Sequence, residues 1–243
     1  MPFFVCITFA FMIIHFVLVE PAVPENVGAA ARAIKTMGFS GLRLVNPCEF
    51  RQGKAKWVAH ASAEILDRAG VFKSLEEAVA DVDFVVGTSA KTRSVKGDHH
   101  PVDKLPGIIR NKKHGIDSVA IVFGREESGL TNDEIRRCHI STYIPMATTY
   151  PSLNLAQAVM LYAWILSTSK RKESSWQDPV QQSKFSAAVS GLKSLLAGTR
   201  VEKNPNIYNR IFERVALMGD NDINLLMSVM AGLNEKYSDN TNR

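Results

Sequence analysis

Two apolar runs constrain this chain more than anything else in it: Ile13-Ile-His-Phe-Val-Leu-Val19 and Ser118-Val-Ala-Ile-Val-Phe123. Both are short and rich in branched and aromatic residues, so both read as buried strands. Helical segments and further strands alternate around them. Asn26 to Gly38 reads as a helix, with Asn26 at its N-cap, an alanine-rich body and Gly38 as its stop. Leu42–Asn46 reads as a strand closed by Pro47, followed by a helix from about Lys54 to Ala69 that Gly70 ends. Ser74, with Glu77 three residues on, opens a short capped helix. Val82–Val86 is a strand running into Gly87-Thr88-Ser89-Ala90. A Gly/Pro/His loop then leads to a brief helix, Leu105–Arg110, and to the second apolar run. A helix from Thr131, a strand at His139–Ile144 and a long apolar helix from Ser152 complete the series. This alternation predicts an α/β fold with a mostly parallel sheet flanked by helices on both faces.

The chain of 243 residues suits one large domain, or a medium one with an appendage. Residues 1–12 read as an N-terminal extension and 13–169 as the α/β domain. The polar stretch 170–179 reads as a linker, and 180–243 as a small all-helical module. The extension and first strand form an uncharged stretch long enough to span a membrane. Yet no Lys or Arg precedes Arg32, so the basic start of a signal peptide is missing. The expectation is a soluble, cytoplasmic protein without a membrane partner. Cys6, Cys48 and Cys138 form no C-x-x-C and fit a reducing compartment. His99 and His100 lack the spaced third ligand a metal needs, so no metal is expected. Formal charge is +5. Four basic clusters, at 51–56, 91–96, 110–113 and 170–172, point together to an anionic partner.

The stretch Phe123-Gly-Arg-Glu-Glu-Ser-Gly-Leu-Thr131 places two glycines and three charges where a buried strand ends. Its glycine spacing matches a phosphate-binding loop, but Leu130 stands where the lysine belongs, and Glu126 and Glu127 would repel phosphate. A tight turn into a helix capped by Thr131 and Glu134 is the plainer reading. Ligands of parallel sheets bind beyond the carboxyl ends of strands. Gly87–Ala90, Gly124–Gly129 and Pro145–Asn154 all fall there and are candidates for one shared pocket.

Three motifs in order then carry a resemblance: Asn26-x-Gly28-x-x-x-Arg32 with Met37-Gly38; Phe123-Gly124-x-Glu126-x-x-Gly129-Leu130; and Ile144-Pro145 followed by Ser152-Leu-Asn-Leu-Ala156. Over about residues 13–168 the chain resembles the SPOUT, or α/β-knot, RNA methyltransferases of the TrmH-like branch. Leu44-Val-Asn-Pro47, Val86–Ala90 and the helical tail look most like the TrmJ tRNA ribose methyltransferases. The resemblance implies a C-terminal trefoil knot, S-adenosylmethionine as cofactor, and methyl transfer to a ribose 2′-oxygen of RNA, tRNA before rRNA. It implies Arg32, Asn26, Glu126, Ser152 and Asn154 at the catalytic centre. Thr88, Ser89, Ala90, Gly124, Ile144, Ser152 and Leu153 would line the cofactor, with Gly124 letting the backbone approach it. It also implies a homodimer through the helix from Ser152, where Leu155, Val159, Met160, Tyr162 and Trp164 offer apolar surface, and an RNA-holding role for 180–243.

Other readings of the residues stand beside it: Arg32 as an exposed helix arginine, Ser152 and Asn154 as helix caps, and Glu126 as a salt-bridge partner of Arg125 or a lysine. A catalytically silent RNA-binding protein is a rival function. A nicotinamide-dependent oxidoreductase is disfavoured, since no G-x-G-x-x-G opens the first helix.

Overall fold

The computed structural model describes residues 12–90, 99–112, 115–148, 153–172 and 184–241. Along the chain run β1 (Ile13–Val19), α1 (Pro24–Thr36), β2 (Gly41–Val45), α2 (Gly53–Ala59), α3 (Ala63–Asp67), β3 (Gly70–Phe72), α4 (Leu75–Val79), β4 (Phe84–Thr88) and β5 (His99–Pro101). Then follow α5 (Leu105–Arg110), β6 (Ser118–Phe123), α6 (Asn132–Arg137), β7 (Ile140–Tyr143), α7 (Leu155–Lys172), α8 (Lys184–Leu196), α9 (Pro205–Leu217) and α10 (Asp220–Thr241). The strands form one sheet in the order β3-β2-β1-β6-β4-β7-β5, and every pairing is parallel.

The absence of polar alternation in the two apolar runs has a direct cause. Phe16, Leu18, Val119, Ile121 and Phe123 enter one core with α1, α7 and the C-terminal helices. Val17, Val19, Ala120 and Val122 enter a second core under α4 and α6. Period two is present, but both faces are dry, so both phases are apolar. β6 inserts between β1 and β4, and β7 between β4 and β5, each after its neighbours in sequence. That order accommodates a knotted C-terminal part; the threading itself is implied by the resemblance.

Local structure departs from the sequence reading at four places. Pro24 opens α1 with Val23 at the N-cap, three residues before Asn26, because proline is at home in a first helical turn and frees the Asn26 side chain. The helix expected over Lys54–Ala69 is broken into α2, a 3₁₀ turn and α3, with His60 at φ 48°. Gly70 opens an edge strand instead of only ending a helix, and His99–Pro101 forms the other edge strand inside the expected loop. Strands of three residues give too little periodicity to read.

The helical tail lies against the sheet layer. Phe185 meets Phe84 and His139 edge-on at 5.5 and 5.2 Å, and its amide donates to the Gly115 carbonyl at 3.0 Å. Lys112, expected in a basic surface cluster, is 1% exposed and packs over the rings of Phe84 and Phe185. α7 continues to Lys172, into the stretch read as a linker, and 173–183 lie outside the described residues. So do the basic residues 91–96. Among the described residues, no helix is long and apolar enough to cross a membrane, and no group of three His, Cys, Asp or Glu is placed to hold a metal.

Candidate active site

The segments that leave the carboxyl ends of β1, β6 and β7 carry Asn26, Glu126 and Asn154, and the fold joins these three directly. Asn26 Nδ2 donates to Glu126 Oε1 at 3.1 Å, and Asn154 Nδ2 donates to Asn26 Oδ1 at 2.8 Å. The amide orientations follow from the carboxylate. Glu126 can only accept, so Asn26 turns its NH₂ to it and its carbonyl to Asn154. Asn154 then turns its NH₂ outward to Asn26 and keeps its own carbonyl for the Ala156 amide, 2.8 Å away. Gln157 reaches back to the Asn154 amide at 3.0 Å, so Asn154 caps α7 while it binds Asn26.

Glu126 is not an ion-pair partner of Arg125. Its carboxylate also accepts from the amides of Ala22 and Val23, at 3.1 and 3.4 Å, just ahead of α1. Partial burial alone would raise its pKa. The Asn26 bond and the backbone donors outweigh that and hold the carboxyl below the usual range, so it stays ionised at neutral pH. Three donors already engage it, which makes Glu126 an anchor for the turn into α1.

Arg125 does a different job. It forks onto Glu20 at 2.8 and 2.7 Å and onto Glu134 at 3.0 and 3.1 Å. These bonds raise its already high pKa, those from Glu20 most. The loop it pins is closed by Arg125 and Gly129, whose amides and carbonyls exchange bonds at 3.2 and 2.9 Å. Thr131 and Glu134 form the expected capping box. A Cβ on Gly124 would lie 2.1 Å from the Gly129 carbonyl carbon and from the Leu130 nitrogen. The close approach that Gly124 permits is therefore that of its own loop. Glu20 was not singled out in the sequence; its signal was a lone carboxylate directly after an apolar strand.

Thr88 and Ser89 are half-buried at the end of β4, where the Ser89 amide donates to the Thr142 carbonyl at 2.9 Å; Ala90 is exposed. Ile144 and Leu153 are half-buried on the loop that follows β7. Hydroxyls and small apolar walls at neighbouring strand ends are a donor set that fits a nucleoside with an aliphatic tail. Ser152 lies outside the described residues. Arg32 is not drawn into the network. It is exposed on α1 and has no hydrogen-bond or ion-pair partner among the described residues. Gly28, one turn earlier, explains the glycine of its motif: a Cβ there would lie 2.1 Å from the Ala55 carbonyl oxygen, so α1 and α2 pack backbone to backbone.

A cavity of about 320 Å³ lies elsewhere, between α4 and α6 on one side and α8 and α9 on the other. None of the residues above lines it, and its shape is not evidence for the reaction.

The model of the SpoU rRNA Methylase family matches residues 13–164. A protein named uncharacterized tRNA/rRNA methyltransferase LasT, from Escherichia coli (strain K12), is 39% identical over 217 residues, covering 88% of this chain and 94% of the relative. The tRNA (cytidine/uridine-2′-O-)-methyltransferase TrmJ of Sodalis glossinidius (strain morsitans) is 32% identical over 234 residues, covering 90% and 91%. Among solved structures, TrmJ from Z. mobilis ZM4 superposes with a TM-score of 0.64 at 28% identity, covering 91% and 99%. On the match of its sheet domain, this chain belongs to the SpoU rRNA Methylase family.

Proposed function

We propose that this protein methylates a ribose 2′-hydroxyl of RNA at the expense of S-adenosylmethionine, with tRNA as substrate. The observation that carries the reading is the Asn26–Glu126–Asn154 network, which gathers one residue from each of three motifs at adjoining strand ends. The tRNA preference rests on the TrmJ relatives. When bound, the cofactor supplies the electrophilic methyl group. Thr88, Ser89, Ala90, Gly124, Ile144, Ser152 and Leu153 are the residues that would hold it.

The remaining chemistry asks for alignment of the hydroxyl and for relief of charge on its oxygen. Glu126, Asn26 and Asn154 have their hydrogen-bonding groups committed to one another, so they fix the positions of β1–α1, the loop after β6 and the start of α7. Arg32 is uncommitted. A guanidinium is a donor and no base at neutral pH, so Arg32 serves to grip phosphate and offset developing negative charge. Mapping 2′-O-methyl sites in RNA from cells with and without the gene tests the reading. Loss of a tRNA site is expected; loss confined to rRNA would redirect the substrate, and no loss would overturn the function.

The reading carries a cytoplasmic location with it, and a homodimer built on α7. Leu155, Val159 and Tyr162 are buried in the chain's own core, so the contact falls to the exposed remainder, above all Trp164. A monomer by light scattering at micromolar concentration would exclude this. The division into 13–169 for chemistry and 180–243 for holding RNA predicts that truncation at Lys170 keeps cofactor binding and weakens RNA binding. It also uncovers Phe84, so the truncated protein should melt earlier. Cofactor affinity lost in a still-folded truncation would refute the division.

A further inference from the structure

Trp57 is 73% exposed on α2, the most exposed of the large apolar side chains among the described residues. Tryptophan is highly buried on average, and removing so large a ring from water is favourable, so a chain that leaves it bare in a folded helix is unusual. Its surroundings are cationic instead of apolar. Arg51, Lys54 and Lys56 are all exposed on the same short segment. Among the described residues, Lys54 and Lys56 are held by surface pairs alone, to Glu25 at 2.9 Å and Asp67 at 3.3 Å. Such pairs contribute about 0–1 kcal/mol and yield readily to a phosphate. Arg51 lies over the Phe50 ring at 4.8 Å, and among the described residues its guanidinium has no acidic partner.

The position of Trp57 relative to Arg32 can be read from the helix pair. α1 and α2 run side by side: Gly28 abuts Ala55, and Lys35 of α1 donates to the Ala61 carbonyl beyond the end of α2. Glu25 and Lys54 pair across the two helices and mark one flank. Arg32 stands two turns beyond Glu25 on that flank, about 10 Å along α1. Trp57 stands one turn beyond Lys54, about 5 Å along α2 and towards its outer face. Arg32 therefore lies on the flank, and Trp57 on the outer face, of the same helix pair.

We propose that Trp57 is an RNA-contacting residue that stacks on a base of the substrate strand, while Arg51, Lys54 and Lys56 hold the phosphates running past it towards Arg32. An exposed aromatic face among cations is the arrangement that takes up single-stranded nucleic acid without reading its sequence. A second copy of this chain is the competing occupant, but an interface core excludes charge, and three exposed cations share the short segment of this tryptophan. The inference rests on the RNA-methyltransferase reading and specifies where its substrate lies.

Trp57→Ala should raise KM for tRNA roughly 5- to 140-fold, the range that loss of one stacked base gives, with kcat, cofactor affinity and oligomeric state unchanged. Trp57→Phe should restore most of the affinity. RNA should quench part of the tryptophan fluorescence of the wild type, and that part should be missing in Trp57→Ala. An unchanged KM for Trp57→Ala, with the wild type methylating RNA normally, refutes the stacking role alone. Absence of any RNA binding or methylation by the wild type refutes the underlying reading. A Trp57 already shielded from acrylamide in the free protein, with Trp57→Ala becoming monomeric, assigns the surface to a second copy and overturns the inference.

Discussion

Asn154 donates a hydrogen bond to Asn26 at 2.8 Å across 128 positions of sequence. Because Asn26 passes the polarity on to Glu126, the pair behaves as one unit in which each amide has a single permitted orientation. Asn26→Ala should cost about 1–3 kcal/mol through the partners it leaves unpaired and lower methyl transfer far more than cofactor binding. Asn26→Asp is the sharper test. It sets two carboxylates side by side, which raises the pKa of one of them. Activity of Asn26→Asp relative to wild type should therefore recover as pH is lowered from 8 to 6; a flat ratio would show that Glu126 and residue 26 are not coupled.

Arg32→Ala should bind S-adenosylmethionine almost normally and lose methyl transfer by about 10²–10³-fold, the scale for one preorganised donor. Arg32→Lys should not fully recover, because an ammonium lacks the planar fork. Tritiated-methyl incorporation into RNA from the gene-deleted host, alongside cofactor titration, measures both. Wild-type turnover in Arg32→Ala would remove the role assigned to it.

Gly124 and Gly38 separate two reasons for glycine. At Gly124 an added Cβ meets backbone at 2.1 Å, so Gly124→Ala must displace the loop after β6. It should lower the melting temperature by several degrees and weaken cofactor binding with it. At Gly38 nothing lies within 4 Å and only φ +80° opposes a side chain. Gly38→Ala should cost about 1 kcal/mol and leave cofactor affinity alone. Thermal melts and calorimetry on both variants give the comparison.

Lys112 sets a pH dependence. Burial lowers its pKa from 10.5 to about 8, with Asp220 opposing the shift; its Nζ donates to the Met218 carbonyl at 2.7 Å. The unfolded chain holds this proton more tightly than the native one. The protein thus carries a penalty on the order of 3 kcal/mol below pH 8 that is relieved as pH rises from about 8 towards 10.5. Lys112→Met keeps the length and drops the charge, so its stability should lack that rise. Urea midpoints at pH 7 and 9.5 for the two proteins should differ in slope with pH; parallel behaviour would mean that the lysine is hydrated.

The sequence determined the layers of this fold on its own. Ile13–Val19 and Ser118–Phe123 read as buried strands, Thr131 and Glu134 specify their helix start locally, and glycine punctuates at Gly38. It also supplied the order of the three motifs. Tertiary structure decided the rest, because the deciding contacts are long-range. Asn26 reads locally as a cap and becomes a bridge only when α1 and α7 are brought together. Arg125 and Glu126 are neighbours that nevertheless take separate partners, since one side chain faces Glu20 and Glu134 and the other faces the turn into α1. Lys112 reads as surface charge and is buried, because Phe84 and Phe185 close over it from opposite ends of the chain. The exposure of Trp57 is likewise invisible in sequence. Local signals fix which element forms; whether a side chain is free to meet a substrate depends on what the distant parts of the chain leave uncovered.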